Sequence, residues 1–180
     1  MTRVQPIRDK QLLQEIKDYL KEENARNYLF FLIGIHTGLR ISDILKLRVK
    51  DVLGWNIIVF EQKTKKYREV KMPNELKRAV RDYVKEKPKH EFLFKSRKGK
   101  NQPIGRRQAY KILREVADTF GLERIGTHSL RKTYGYHHYK AFNDIVALQK
   151  ALNHHDPRET LIYIGMEQEE MNAYQAKINW

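Results

Sequence analysis

From Tyr28 to Ile35 the chain reads YLFFLIGI, eight residues whose only polar side-chain group is the Tyr28 hydroxyl. Apolar side chains on every side of a helical turn leave no face for water, so a helix over 25–37 must lie at the centre of the molecule with other elements packed around it. A membrane span needs roughly 20 apolar residues, so the run is a core segment. Gly38 follows it directly. Glycine accepts the left-handed backbone that closes a helix, which predicts a stop there and places Arg40 at a break between helices, backed by the core.

What must wrap that helix is strongly basic. The 180 residues fit one domain and are enough to bury a core without cross-links, and a hydrophobic share of 41% marks a globular chain. Cysteine is absent, which excludes disulfides and thiolate zinc sites and is compatible with a reducing cytosol. The N-terminal MTRVQPIRDK lacks the apolar centre of a signal peptide. Lys and Arg number 36 against 22 Asp and Glu, a surplus of +14 that points to a polyanion. Charge alone does not separate DNA from RNA or from an anionic membrane surface.

Around the central segment the pattern predicts a mostly α chain with a small antiparallel β-sheet. Asp9 caps a helix to about Glu23 with Leu12, Leu13, Ile16 and Leu20 on one face, and a short helix through 43–45 follows Arg40. At Asn56 the signal changes. Ile57-Ile58-Val59-Phe60 is β-branched and aromatic, and Val70 and Met72 alternate with polar residues, so the two runs form a hairpin whose tip is Gln62-Lys63-Thr64-Lys65-Lys66. Helices are expected over 74–87, over 105–120 with a stop at Gly121, and then in pieces over 129–141, 144–152, 157–164 and 167–177. Between 88 and 105 lies a basic connection interrupted by Phe92-Leu93-Phe94. No internal repeat or linker divides the chain.

The chemistry concentrates in the last third. His128 and Arg131 share a face at a helix start. Asp156 at N-cap, Pro157 at N1 and Glu159 at N3 open another helix, which holds His154 in the preceding loop and puts Tyr163 two turns inside. Taken singly, each has an ordinary explanation: a solvated surface pair, a core aromatic beside Ile162 and Ile164, a surface arginine.

The order Thr37-Gly38-Leu39-Arg40, a hairpin lysine, His128-Ser129-Leu130-Arg131, Leu152-Asn153-His154 and then Tyr163 resembles the catalytic domain of the tyrosine recombinase, or phage integrase, family over about 5–170. The resemblance implies that Arg40 and Arg131 clamp the non-bridging oxygens of a scissile phosphate. It implies too that Lys63 protonates the departing 5′-oxygen, in preference to Lys65 and Lys66. His128 then assists proton transfer, His154 hydrogen-bonds the phosphate, and Tyr163 is the nucleophile of a 3′-phosphotyrosine intermediate. Such an enzyme uses no cofactor, metal or ATP. It acts on double-stranded DNA in the cytoplasm, has no membrane partner, and forms a homotetramer through its C-terminal segment.

Two departures stand out. Asn153 replaces the usual glycine of the third motif, and asparagine tolerates the left-handed conformation. Nothing before Asp9 corresponds to the family's DNA-gripping N-terminal domain, so the expectation is a single catalytic domain over 1–180, either a fragment or a minimal form. The tail, 167–180, either docks on a neighbouring protomer or packs on its own domain. Type IB topoisomerase-like relaxation and a catalytically silent DNA-binding module are the competing readings. The seven histidines form no H-E-x-x-H and no ligand-spaced carboxylate cluster, which gives a metal site little support.

Overall fold

The structure, a computed structural model, describes residues 4–178 apart from the side chain of Gln168. Residues 1–3 and 179–180, the start of the N-terminal segment and the end of the tail, lie outside the described residues. No described helix is long and apolar enough to cross a membrane.

Helix α1 spans Lys10–Glu23 and α2 Ala25–Thr37. The Asp9 carboxylate accepts from the Gln11 and Leu12 amides at 2.7 and 3.2 Å, satisfying donors that a helix start leaves without partners. Ile16 and Leu20 are buried, with Leu12 and Leu13 packed beside them. In α2, Leu29, Phe30, Phe31, Leu32 and Ile33 are fully enclosed, at 0% exposure, and α1, α4 (Asn74–Val84) and α6 (Ser129–Phe142) pack against it. Each such side chain contributes about 1.5–3 kcal/mol of transfer free energy, so removing one, as in Phe31→Ala, should cost about 3–5 kcal/mol.

Gly38 ends α2 at φ +62°. A Cβ there would stand 2.3 Å from the Tyr134 ring, so both backbone angle and space require glycine. Helix α3 is short, Ile41–Ile44, with Arg40 at its N-cap position.

Strands β1 (Asn56–Phe60) and β2 (Tyr67–Lys71) form a two-stranded antiparallel sheet with Ile57 opposite Val70 and Phe60 opposite Tyr67. Ile57 and Val59 face the core while Ile58 and Phe60 face outward. Met72 falls just past β2 but is buried, its amide bonded to the Trp55 carbonyl at 3.1 Å. Two features go beyond the sequence pattern. Val49–Val52 is a 3-10 helix, and the Phe92-Leu93-Phe94 interruption runs beside the 47–48 backbone, with Leu93 donating to the Leu47 carbonyl at 2.8 Å. Leu93 and Phe94 are thereby core residues. Helix α4 ends at Val84, earlier than expected.

Helices α5 (Arg106–Thr119), α7 (Ile145–Leu152), α8 (Pro157–Ile164) and α9 (Met166–Gln175) complete the chain. A second apolar cluster, Tyr136, Leu148, Leu152, Ile164 and Met166, joins α6, α7, α8 and the first residue of α9. It depends on Gly135, where a Cβ would lie 2.6 Å from Ile164. Helices α6 and α8, which carry Arg131 and Tyr163, therefore meet at near-backbone distance.

Candidate active site

Arg131 is the third residue of α6 and is 5% exposed. Its guanidinium donates through Nη1 to the Gly38 carbonyl and through Nη2 to the Leu152 carbonyl, two acceptors left over at the ends of α2 and α7. One side chain thus ties three helices, and the fork geometry fixes the plane of the group. Burial lowers its pKa, opposed chiefly by Tyr163, but an arginine remains charged in proteins. Arg40, two residues past Gly38, is half-buried, and its Nη1 is enclosed without a hydrogen-bond partner. A buried charged donor of that kind is costly unless it meets an anion.

The Tyr163 hydroxyl is likewise buried and has no hydrogen bond of ordinary geometry, although the Arg131 guanidinium stands beside it as a donor. Burial raises its pKa, opposed first by Arg131 and then by Arg40. The tyrosine ring meets the His154 ring edge-on, with centroids 5.0 Å apart, and the Lys132 ammonium lies 5.0 Å from its centre.

Asn153 closes α7 in the left-handed conformation, φ +49°, ψ 46°, which turns the chain so that His154 leaves the helix end toward Tyr163. The His154 Nδ1 sits 3.0 Å from the Thr160 hydroxyl. Burial lowers its pKa; Arg131, Arg40 and Lys63 push the same way and Glu159 opposes. His155, its neighbour in sequence, is exposed. His128, at the start of α6, presents an exposed edge. The enclosed part of its ring, and then Arg131, Lys132, Arg106 and Arg40, hold its pKa below the ordinary value. Both histidines are neutral near pH 7.

Lys63 lies on the exposed hairpin turn and lines a cleft of about 600 Å³ together with Arg40, Lys46, Gln62 and Arg106. Lys65 and Lys66 do not line it. All six residues singled out from the sequence therefore share one neighbourhood. Arg40 and Arg131 act on His128, His154 and Tyr163, while Lys63 reaches it through the cleft and through its field at His154.

Sequence reasoning missed several neighbours. Lys132, 6% exposed, donates to the Val4 carbonyl at 2.9 Å; its place one residue after Arg131 was the available signal. Asp43, 1% exposed, accepts from the Gln62 amide at 3.0 Å. Glu61, 3% exposed, is the only acid in Phe60–Lys66, and no periodicity shows that it is buried. Thr160 reads as an ordinary helix residue. Tyr134, by contrast, has a packing role against Gly38, and Tyr136 and Tyr139 belong to the second cluster.

Two guanidiniums, two neutral imidazoles, an ammonium and an enclosed phenol can bind a phosphodiester, neutralise it and move protons around it. Fold and constellation together define a tyrosine recombinase catalytic domain. The chain belongs to the phage integrase family, which its sequence matches over residues 5–170. It is 48% identical over 171 residues to the probable integrase/recombinase YoeC of Bacillus subtilis (strain 168), covering 94% of each. It is 28% identical over 176 residues to tyrosine recombinase XerH of Campylobacter jejuni, covering 88% of this chain and 48% of XerH. Among solved structures, XerA recombinase matches with TM-score 0.76 at 19% identity, over 100% of this chain and 66% of XerA. A pre-cleavage complex of XerH with its difH substrate matches with TM-score 0.73 at 23% identity, over 90% of this chain and 51% of XerH. The chain thus spans nearly all of YoeC and about half of XerH.

Proposed function

We propose that this protein is a site-specific DNA recombinase that breaks and rejoins strands of duplex DNA in the cytoplasm through Tyr163. The observation that carries the proposal is the enclosed Tyr163 hydroxyl in the field of Arg131 and Arg40, its ring edge-on to His154. A phenol with a raised pKa is a poor nucleophile until its proton is taken, and a phosphate between the two guanidiniums is the anion those donors are placed to hold.

In this reading Arg40 and Arg131 hydrogen-bond the non-bridging oxygens and stabilise charge developing on them. Neutral His128 takes the Tyr163 proton, and His154 donates to the phosphate. The phenolate oxygen attacks phosphorus and the bond to the 5′-oxygen breaks. That oxygen receives a proton from Lys63, and a 3′-phosphotyrosine forms. In the return step a 5′-hydroxyl attacks phosphorus, its proton goes to the Lys63 amine, and Tyr163 leaves and recovers its proton from His128. The phosphodiester energy is kept in the covalent link, so ATP is not needed, and the arginines stabilise charge without a metal.

Assembly into a tetramer on two duplexes runs through α9, whose exposed Met171 and Tyr174, with Ile178 beyond it, leave apolar surface available to another protomer. The tyrosine recombinase relatives and the XerH complex with its difH substrate support strand cleavage on DNA as the reading. A duplex nicked close to the cleavage position tests it, because loss of the short product traps the covalent intermediate. The parent protein should form a protein–DNA adduct and Tyr163→Phe should form none; an adduct in the phenylalanine variant overturns the assignment.

A further inference from the structure

The Glu61 carboxylate lies at the foot of the Lys63 turn and is almost wholly enclosed, yet its partners come from two separate parts of the chain. Thr64 donates to Oε2 at 2.8 Å and Arg68 to Oε1 at 3.3 Å, both from the hairpin. The side-chain amide of Asn153 donates to Oε2 at 2.8 Å and to Oε1 at 3.0 Å, from the end of α7. The same Arg68 nitrogen also donates to the Ala151 carbonyl at 2.8 Å. Lys63 sits between Glu61 and Thr64 in a turn closed by the Lys65 amide on the Glu61 carbonyl at 2.9 Å, and His154 follows Asn153 directly.

From this geometry we infer that Glu61 and Asn153 are a pair of positioning residues that hold the Lys63 turn in register with the His154 loop. The inference rests on the assignment of Lys63 as the proton donor to the leaving oxygen. Two things single out this contact. A glycine at 153 would allow the same left-handed turn, so the backbone alone does not call for asparagine; what asparagine adds is an amide that reaches a carboxylate 92 residues away. And a buried carboxylate is tolerated only when its oxygens are satisfied. Thr64 and Arg68 satisfy Glu61 from its own hairpin and Arg68 also reaches Ala151, so loss of the Asn153 amide leaves the carboxylate paired and the core intact while removing the contact that ties the Lys63 turn to the residue before His154.

The test uses the full chain and a nicked duplex in two forms, one with an ordinary phosphodiester and one whose bridging 5′-oxygen is replaced by sulfur. A thiolate leaves without being protonated, so the sulfur substrate bypasses any defect in the proton donor. Asn153→Gly keeps the turn and removes the amide; Glu61→Gln keeps the shape and removes the charge. Both should cleave the ordinary substrate more slowly, by about tenfold for Asn153→Gly and up to about 100-fold for Glu61→Gln, the scale expected for a misplaced catalytic group. On the sulfur substrate both should return to within about threefold of the parent, as Lys63→Ala should. Slow cleavage of both substrates by Asn153→Gly, or parental cleavage of the ordinary one, overturns the inference. If Glu61→Gln fails to fold, Asn153→Gly decides alone. A Lys63→Ala variant that sulfur does not rescue overturns instead the assignment of Lys63, and is distinguished by that control.

Discussion

Tyr163 brings a hydroxyl into the interior and gives it no well-formed hydrogen bond, only the Arg131 guanidinium beside it. Such a group costs about 1–3 kcal/mol of desolvation, so a substitution that removes only the oxygen should destroy adduct formation without weakening the fold. Tyr163→Phe is expected to be as stable as the parent or up to about 1 kcal/mol more stable, a rise of about 2–4 °C in melting temperature at this chain length. A fall of several degrees would mean that the hydroxyl holds the structure together. Thr160 bears on the proton at His154. For neutral His154 to donate from Nε2, its Nδ1 must accept, and the Thr160 hydroxyl must then point at the ring and not at the Asp156 carbonyl, 3.3 Å away. Thr160→Val should thus slow cleavage by about tenfold, the loss of one hydrogen bond of about 1.4 kcal/mol, while Thr160→Ser should cleave like the parent. Burial also lowers the pKa of His36, His128, His138 and His154. The unfolded chain, with histidines near the ordinary value of about 6.5, then binds more protons than the folded one at mildly acidic pH. Stability is complete above that value and declines as pH falls from it toward the lowered folded values. Urea midpoints should be lower at pH 5.5 than at pH 7.5, and equal midpoints would contradict the shifts.

At the scale of elements, the site is a set of helix ends brought together. Gly38 ends α2, Asn153 ends α7, α6 begins beside His128, and Arg131 bonds to the first two of these ends. Gly38→Ala therefore has a double effect. The left-handed angle and the clash with Tyr134 should together cost roughly 2–4 kcal/mol. The displaced carbonyl should also turn the Arg131 fork and slow cleavage by up to about 100-fold. Denaturant midpoints and adduct rates on the folded fraction measure the two separately; parental values of both would show that Gly38 is dispensable. The ends were largely legible in the sequence, because caps and stops are local chemistry: Asp9, Gly38, Asp156 and Pro157 act within a turn of themselves. Arg40, Lys63, His128, Arg131, His154 and Tyr163 could be picked out only as an ordered set, since each alone is an ordinary residue. What escaped depends on partners far along the chain. The register of Leu93 beside Leu47, the burial of Glu61 by Asn153, and the reach of Lys132 to both Val4 and Tyr163 leave no periodic trace.

On the scale of the whole molecule, charge and apolar surface are distributed unevenly. The net +14 includes Arg40, Lys46, Lys63 and Arg106 around the cleft, which favours a polyanion on that face. Helix α9 is different, opening with Glu167 and Glu169. Its first turn is anchored on its own domain by buried Met166 and by Glu169 bonded to Lys140 at 2.7 Å, an exposed pair that adds no more than about 1 kcal/mol. Beyond that turn Met171, Tyr174 and Ile178 are all more than half exposed. Packing of the start at home leaves Met171, Tyr174 and Ile178 available to the proposed contact with another protomer. Tyr174, 63% exposed, tests that contact. Tyr174→Glu should leave the melting temperature unchanged, because an exposed substitution shifts stability by about 0.5 kcal/mol or less. It should also leave single-turnover adduct formation on the nicked duplex unchanged, since Arg40, Lys63, His128, Arg131, His154 and Tyr163 all lie outside α9. Placing a charge in an apolar contact between protomers, however, should reduce the assembled species seen by sedimentation of the protein on duplex DNA by at least about tenfold. A variant that assembles like the parent would assign the tail to its own domain alone and overturn the proposed contact between protomers through α9.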